Sequence, residues 1–220
     1  MSDGTEATSP RRLAVCWSGG SGIAYGRRLV EVLLELGHEV HLAATGAALR
    51  VLEHEGGVRP PDDLATLFAG PLRARLRVHA LDAVESTPAS GSARLTATIV
   101  VPCSMGTLAR IAHGWSSNLV ERAADVALKE GRPLVVVPRE TPLGVLHLEN
   151  MLKLARLGAI VLPAMPGFYH RPRTVAELVD FVVGKILDRL AIDHDLVRRW
   201  QTPSQSPSAE AAGPFDEGER

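Results

Sequence analysis

With 220 residues, 45% of them apolar and 22% charged, the chain can bury one sizeable core. Its 24 Lys and Arg against 25 Asp and Glu leave a formal net charge of -1, which excludes a global basic field able to hold nucleic acid or an anionic membrane. An aromatic content of 4% gives no platform on which bases could stack.

Residues 1–10 and 202–220 are rich in Ser, Pro, Ala and Glu without apolar periodicity, and are expected to be mobile ends. The working domain is then 11–201. The polar, acidic start MSDGTEATSP is unlike a signal peptide. LAVCWS reads as a strand, SGIAYGRRLVEVLLELG as a helix, EVHLAA as a strand and GAALRVLEHE as a helix. A middle interrupted by Pro and Gly leads to strands RLRVHAL and ATIVVP and to helices over 104–112 and 117–130. Strand PLVVVP, a helix from Leu143 to Leu157, strand AIVLP and helix TVAELVDFVVGKILDRLA complete the domain. The runs TIVVP and LVVVP do not alternate, as expected where helices cover both faces of a sheet. This order predicts a single α/β domain, a doubly wound, mostly parallel Rossmann- or flavodoxin-like three-layer sandwich. No apolar run reaches the ~18 residues of a bilayer span. Cys16 and Cys103, both in apolar runs, are too few for a disulfide framework and fit the reducing cytoplasm.

Ligands of such sheets bind beyond the carboxyl ends of the strands, so the loops there are read for chemistry. The first, Ser18-Gly19-Gly20-Ser21-Gly22, combines glycines that allow close backbone approach with a helix start whose N–H groups suit a phosphate. A plain turn would need one or two of these glycines and leaves both serines without a role. No Walker lysine follows, and G-x-G-x-x-G begun at Gly20 and Gly22 meets Tyr25. Ala43-Ala44-Thr45-Gly46 lacks the ribose-binding acid of NAD enzymes, which favours a mononucleotide or flavin. Ser21 is no nucleophile elbow, because Ile23 stands where a glycine is required.

After the fourth strand comes Pro102-Cys103-Ser104-Met105-Gly106-Thr107, a second place for a polar ligand edge, although Ser104 alone is most simply a helix N-cap. Cys103 reads as a small buried hydrophobe. After the fifth, Arg139 and Glu140 stand between Pro138 and Pro142; an arginine there can pair with phosphate and a glutamate can exchange protons. After the sixth, Pro163 to Pro172 holds Phe168, Tyr169, His170 and Arg171, a wall suited to an aromatic cofactor or an allylic tail, or a subunit contact. His38 and His41 are expected on opposite strand faces and so not as a metal pair. Asp62-Asp63 has no second acidic pair, so no metal is expected. His147 reads as a surface or interface residue, and Glu121 to Glu130 as a solvated helix face.

Together these loops resemble the UbiX family of flavin prenyltransferases. The resemblance runs in order over about 12–200, through SGGSGIAYGRRL, VVPCSMGTLARIA, NLVERAADVALKEGRPLVVVPRETPL, HLENMLKLARLGAIVLPAMPGFYHRP and LVDFVVGKILDRL. It implies metal-free transfer of a dimethylallyl group, usually from dimethylallyl monophosphate, to N5 and C6 of reduced FMN. The prenylated FMN so made serves a UbiD-type decarboxylase. By the same resemblance Gly19, Gly20 and Ser21 meet FMN, with Ser21 close to N5, and Thr45 stands where the family commonly has Ser. Ser104, Met105, Gly106 and Thr107 with Arg139 complete the FMN site. Arg122, Lys129, Tyr169 and Lys185 are implied to hold the prenyl phosphate, Glu140 to move protons as phosphate leaves, and Glu55 to act as base at flavin C6. Family members build this site between subunits of a homododecamer.

The chain departs from the family pattern at Gly20, commonly Ala, and at Gly46, which replaces a lysine; residues 56–95 match weakly, although Pro88 to Ser92 resembles a loop near the ligand. A flavin-dependent cysteine decarboxylase is the alternative enzyme, but its P-x-M-N loop has no counterpart asparagine in Pro102 to Gly106. A non-catalytic FMN-binding protein is the other alternative.

Overall fold

The computed structural model describes residues 9–57, 59–61 and 63–197; the expectations for 1–8, for Asp62 and for 198–220 lie outside them. Six parallel strands form one sheet: β1 (Arg12–Trp17), β2 (Glu39–Ala44), β3 (Leu76–His79), β4 (Ala97–Cys103), β5 (Leu134–Pro138) and β6 (Ile160–Val161), in the order β3-β2-β1-β4-β5-β6. The helices are α1 (Ile23–Glu35), α2 (Gly46–Gly56), α3 (Met105–Ala112), α4 (Leu119–Lys129), α5 (Val145–Arg156) and α6 (Val175–Arg189). This is the predicted doubly wound sandwich, with the Rossmann strand order. Its order reverses between β1 and β4, whose register aligns Leu13 with Ala97 and Cys16 with Val100. A crevice therefore opens where the chains leaving β1 and β4 diverge.

Alternation along each strand divides the core in two. Leu13, Val15, Trp17, Leu42 and Ile99 pack with α1, α2 and α6, while Cys16, Ala43, Val100, Leu134 and Val136 pack with α3, α4 and α5. Both faces are apolar because both are covered, which explains the missing alternation. In α1 the apolar residues recur at helical spacing, and Leu29 and Leu33 are fully buried, each worth about 1.5–3 kcal/mol. Arg28 ties α1 to α6 by a 2.8 Å bond to Asp180.

Three boundaries differ from the sequence reading. The helix expected from Leu143 starts at Val145, capped by Gly144. Strand β6 has two residues, yet Leu162 and Ala164 still donate to the carbonyls of Val136 and Pro138 at 2.9 and 3.0 Å, carrying the chain along the sheet edge. The middle segment folds into short 3-10 turns at Leu64–Leu67, Gly70–Arg75, Thr87–Ala89 and Gly91–Ala93, as its prolines and glycines dictate. Among the described residues no helix is long and apolar enough to cross a membrane.

Candidate functional site

The loops after β1, β2 and β4 meet at the crevice. A Cβ on Gly19 would lie 2.6 Å from the Ala47 Cβ, and one on Gly20 would lie 3.3 Å from the Pro102 Cβ and 3.4 Å from the Ser104 nitrogen. Gly22 is held at φ +97°, where a Cβ would also strike the Tyr25 ring at 2.8 Å, so this turn requires glycine. Ser18 fastens two of the loops: its Oγ donates to the Pro102 carbonyl at 3.0 Å and accepts the Ser104 N–H at 2.8 Å.

The helix starts beside these loops are treated differently. At α2, Thr45 Oγ1 accepts from the Ala48 N–H at 3.1 Å; at α3, Ser104 Oγ accepts from the Thr107 N–H at 3.4 Å, the N-cap role read from the sequence. First-turn N–H groups such as those of Met105 and Gly106 have no partner inside a helix, and a Cβ on Gly46 or Gly106 would find open space within 3.5 Å. At α1 the expectation of free N–H groups is corrected. The Glu55 carboxylate accepts from Gly22 N–H at 2.9 and 3.0 Å and from Ile23 N–H at 2.9 Å, so its negative charge already occupies that helix start. Burial alone would raise the Glu55 pKa. Hydrogen bonds from Ser21, Ile23 and Gly22, with the positive charge of Arg139, hold it below the usual value.

Arg139 acts on Tyr25 as well, where burial raises the phenol and the arginine partly offsets it. Its backbone N–H donates to the Cys103 carbonyl at 3.3 Å, which brings the loop after β5 to the same rim. The neighbouring Glu140 is exposed and accepts from the Thr141 N–H at 3.0 Å. The rim thus offers several hydroxyls, open glycine backbone at two helix starts and the Arg139 guanidinium. That donor set fits a phosphorylated, oxygen-rich ligand of flavin mononucleotide type.

The Flavoprotein family matches residues 1–187. The flavin prenyltransferase UbiX of Pseudomonas aeruginosa is 46% identical over 199 residues, covering 88% of this chain and 95% of its own. The chain belongs to the UbiX family of flavin prenyltransferases. It is therefore a transferase. Two solved UbiX-type structures have the same fold. AnUbiX in complex with FMN and dimethylallyl pyrophosphate superposes with a TM-score of 0.78 at 37% identity, over 88% of this chain and 98% of its own. A dodecameric FMN-dependent UbiX-like decarboxylase from Escherichia coli O157:H7 gives 0.77 at 42% identity, over 87% and 100%.

The residues that the UbiX resemblance assigns to the prenyl phosphate do not converge within one chain. Tyr169 and Lys185 lie on the sheet face covered by α1 and α6; Tyr169 packs edge-on against His170 and Phe181, and the Lys185 ammonium sits 5.6 Å from the Phe181 ring centre and 3.6 Å from Asp188. Leu162, Met165, Phe181 and Lys185 line a cleft of about 430 Å³ beside them. Arg122 and Lys129 lie on α4, which packs on the other face. There they pair with Asp125 at 3.3 Å and Glu130 at 3.0 Å. Helix α4 runs back toward the start of β5, so Lys129 in its last turn is at the end of the sheet remote from Ser21.

The reading of Glu121 to Glu130 as a solvated face needs correction at Glu121, which is 0% exposed and bonded to Arg110 and Ser117. Sequence reasoning passed over Arg110, although its i, i+3 spacing from Thr107 was a signal. It set His41 apart from His38 but missed that His41 pairs with His79, ring nitrogens 2.9 Å apart. His147 caps α5, its Nδ1 accepting the Gly144 N–H at 3.2 Å. Among the described residues no cluster of His, Cys, Asp and Glu could hold a metal ion.

Proposed function

We propose that the protein transfers a dimethylallyl group from dimethylallyl monophosphate to N5 and C6 of reduced FMN, and that the prenylated FMN is consumed by a UbiD-type decarboxylase. The observation that carries this reading is the convergence of Gly19, Gly20, Ser21, Thr45 and Ser104 to Thr107 with Arg139 at one end of the sheet, in a chain of the UbiX family. Reduced FMN is the acceptor substrate and supplies the nucleophilic N5. The chain's own work is to bind it, to ionise the donor and to move protons.

As the allylic carbon–oxygen bond breaks, its electron pair leaves with the phosphate, and Arg122, Lys129, Tyr169 and Lys185 offset the growing charge. Glu140, exposed at the rim, relays protons: the one that N5 sheds on bonding the allylic carbon goes to the departing phosphate, and the allyl double bond then takes one up so that its far carbon can bond C6. Ser21 donates to Glu55, whose ionised carboxylate is the form that takes up the proton displaced from C6.

Because Arg122 and Lys129 lie on the opposite face from Tyr169 and Lys185, a complete phosphate site takes residues from neighbouring copies. Exposed apolar residues on α5, with Val145 70% and Leu146 72% accessible, and on the loop after β6, with Met165 66% and Phe168 70%, support association of copies. We take the assembly to be a homododecamer, like that of the Escherichia coli neighbour, working in the cytoplasm.

The test is anaerobic incubation of the purified protein with reduced FMN and dimethylallyl monophosphate, without added metal, followed by mass spectrometry of the released flavin. A gain of one C5H8 unit supports the reading. Unmodified flavin with both the monophosphate and the diphosphate donor overturns it.

A further inference from the structure

The proposed reaction does not use Glu121, yet this carboxylate anchors a chain of polar contacts that ends on the loop after β4. Its Oε2 accepts from the Ser117 N–H at 3.0 Å and the Ser117 hydroxyl at 2.6 Å, while its Oε1 accepts from Arg110 Nε. A carboxylate with no exposure is costly unless every oxygen is engaged, and here both are. The other arm of Arg110, Nη2, reaches Thr107 Oγ1 at 3.3 Å. Ser104 Oγ donates to the same Oγ1 at 3.1 Å, and the Ser104 N–H is held by Ser18 Oγ at 2.8 Å.

This pattern sets the direction of the Thr107 hydroxyl. A threonine oxygen offers two acceptor positions and one donor, and a guanidinium can only donate. With both acceptor positions taken by Arg110 and Ser104, the Thr107 O–H remains as a donor. Arg110 has a side chain 44% exposed and would sample many rotamers on its own; the buried Glu121 carboxylate pins it.

We propose that the Arg110–Glu121 pair positions the flavin site: it fixes Thr107 as a hydrogen-bond donor to an oxygen of FMN. Arg110 and Glu121 are positioning residues, acting through Thr107. The inference rests on the reading that residues 104–107 meet FMN.

The experiment is a fluorescence titration of FMN into the full-length, flavin-free protein, with the unfolding midpoint of each flavin-free variant measured alongside. Lysine at position 110 keeps a cation against Glu121 but has one amino group, which cannot span both partners. Arg110→Lys is expected to raise the FMN Kd about fivefold, the size of one lost hydrogen bond, with the midpoint little changed. Thr107→Val, which leaves the Arg110–Glu121 pair intact, is expected to raise Kd at least as much. The double variant should bind no more weakly than Thr107→Val alone, because Arg110 then has nothing to act through.

Ser104→Ala separates the two levels of the claim. If it leaves Kd unchanged, the loop does not meet FMN and both the reading and the inference fall. If it weakens binding while Arg110→Lys binds as the parent does, the inference alone falls. Additive losses in the double variant also overturn it, even where Arg110→Lys lowers the midpoint, because a merely structural arginine would weaken binding independently of Thr107.

Discussion

Glu55, in the last turn of α2, and Ile23, the first residue of α1, are joined by a 2.9 Å hydrogen bond from backbone N–H to carboxylate. Although burial favours the protonated form, the bonds from Ser21, Ile23 and Gly22 prevail, and the folded pKa lies below the ordinary 4.5. The folded state thus prefers the carboxylate. Its contribution to stability is complete above the ordinary value and is lost as pH falls through the folded one. Glu55→Gln is expected to flatten the acid limb: urea unfolding between about pH 6 and pH 3 should show a smaller loss of stability than the parent. Parallel pH curves would refute this.

The stacked His41 and His79 rings, with centroids 5.2 Å apart, belong to the paired strands β2 and β3, with Glu39 at 2.8 Å from His41 and Arg12 at 3.5 Å from Glu39. Burial lowers both pKa values, and the charge of His79 lowers that of His41 further against the opposing pull of Glu39. Lowered values mean that the folded state binds fewer protons than the unfolded one. The pair's contribution is therefore intact above the ordinary 6.5 and declines as pH falls below it. His79→Gln should reduce the difference in unfolding free energy measured at about pH 5 and pH 8.

Gly26 lies inside α1, where alanine is intrinsically favoured by about 1 kcal/mol. A Cβ there would stand 2.5 Å from the Val101 carbonyl oxygen and 2.7 Å from Trp17 Nε1, groups of the fully buried central strands. The clash prevails, since neither backbone nor a fully buried indole can move aside. Gly26→Ala is expected to lower the unfolding midpoint, with a net cost of about 1–3 kcal/mol. A midpoint equal to or above the parent's would show that α1 can shift off the sheet.

Cys16 and Cys103 are both buried, and desolvation raises each thiol to about 12. The reactive thiolate is then scarce at neutral pH. Neither cysteine should be modified by an excess of a thiol reagent in the native protein, and both should react in denaturant. Rapid native labelling would contradict this burial.

Arg122 and Lys185 occupy opposite faces of the sheet. If neighbouring copies share a phosphate site, Arg122→Ala and Lys185→Ala proteins, each inactive, should regain activity when co-assembled. Random mixing leaves about a quarter of the sites with both residues intact. No recovery in demonstrably mixed assemblies would place the two residues in separate tasks.

The alternation of strands and helices was legible because periodicity is local: TIVVP and LVVVP declare strands covered on both faces, and α1 shows its apolar spacing within 13 residues. The glycines of the first loop and the hydroxyls at Thr45 and Ser104 were legible for the same reason, since caps and turns are chosen by neighbouring residues. Glu121 was misread because a helix face is judged from its own charges, and the group that buries it, Arg110, comes from a different helix.

By itself, then, the sequence determined the doubly wound order, the loops that face the crevice and the family resemblance. Tertiary structure alone decided that Glu55 caps α1 from 32 residues away, that His41 meets His79 across 38, and that Arg122 and Lys185 part to opposite faces. Those pairings depend on how parallel crossovers carry distant segments over one face of the sheet or the other, and short-range periodicity holds no record of that choice.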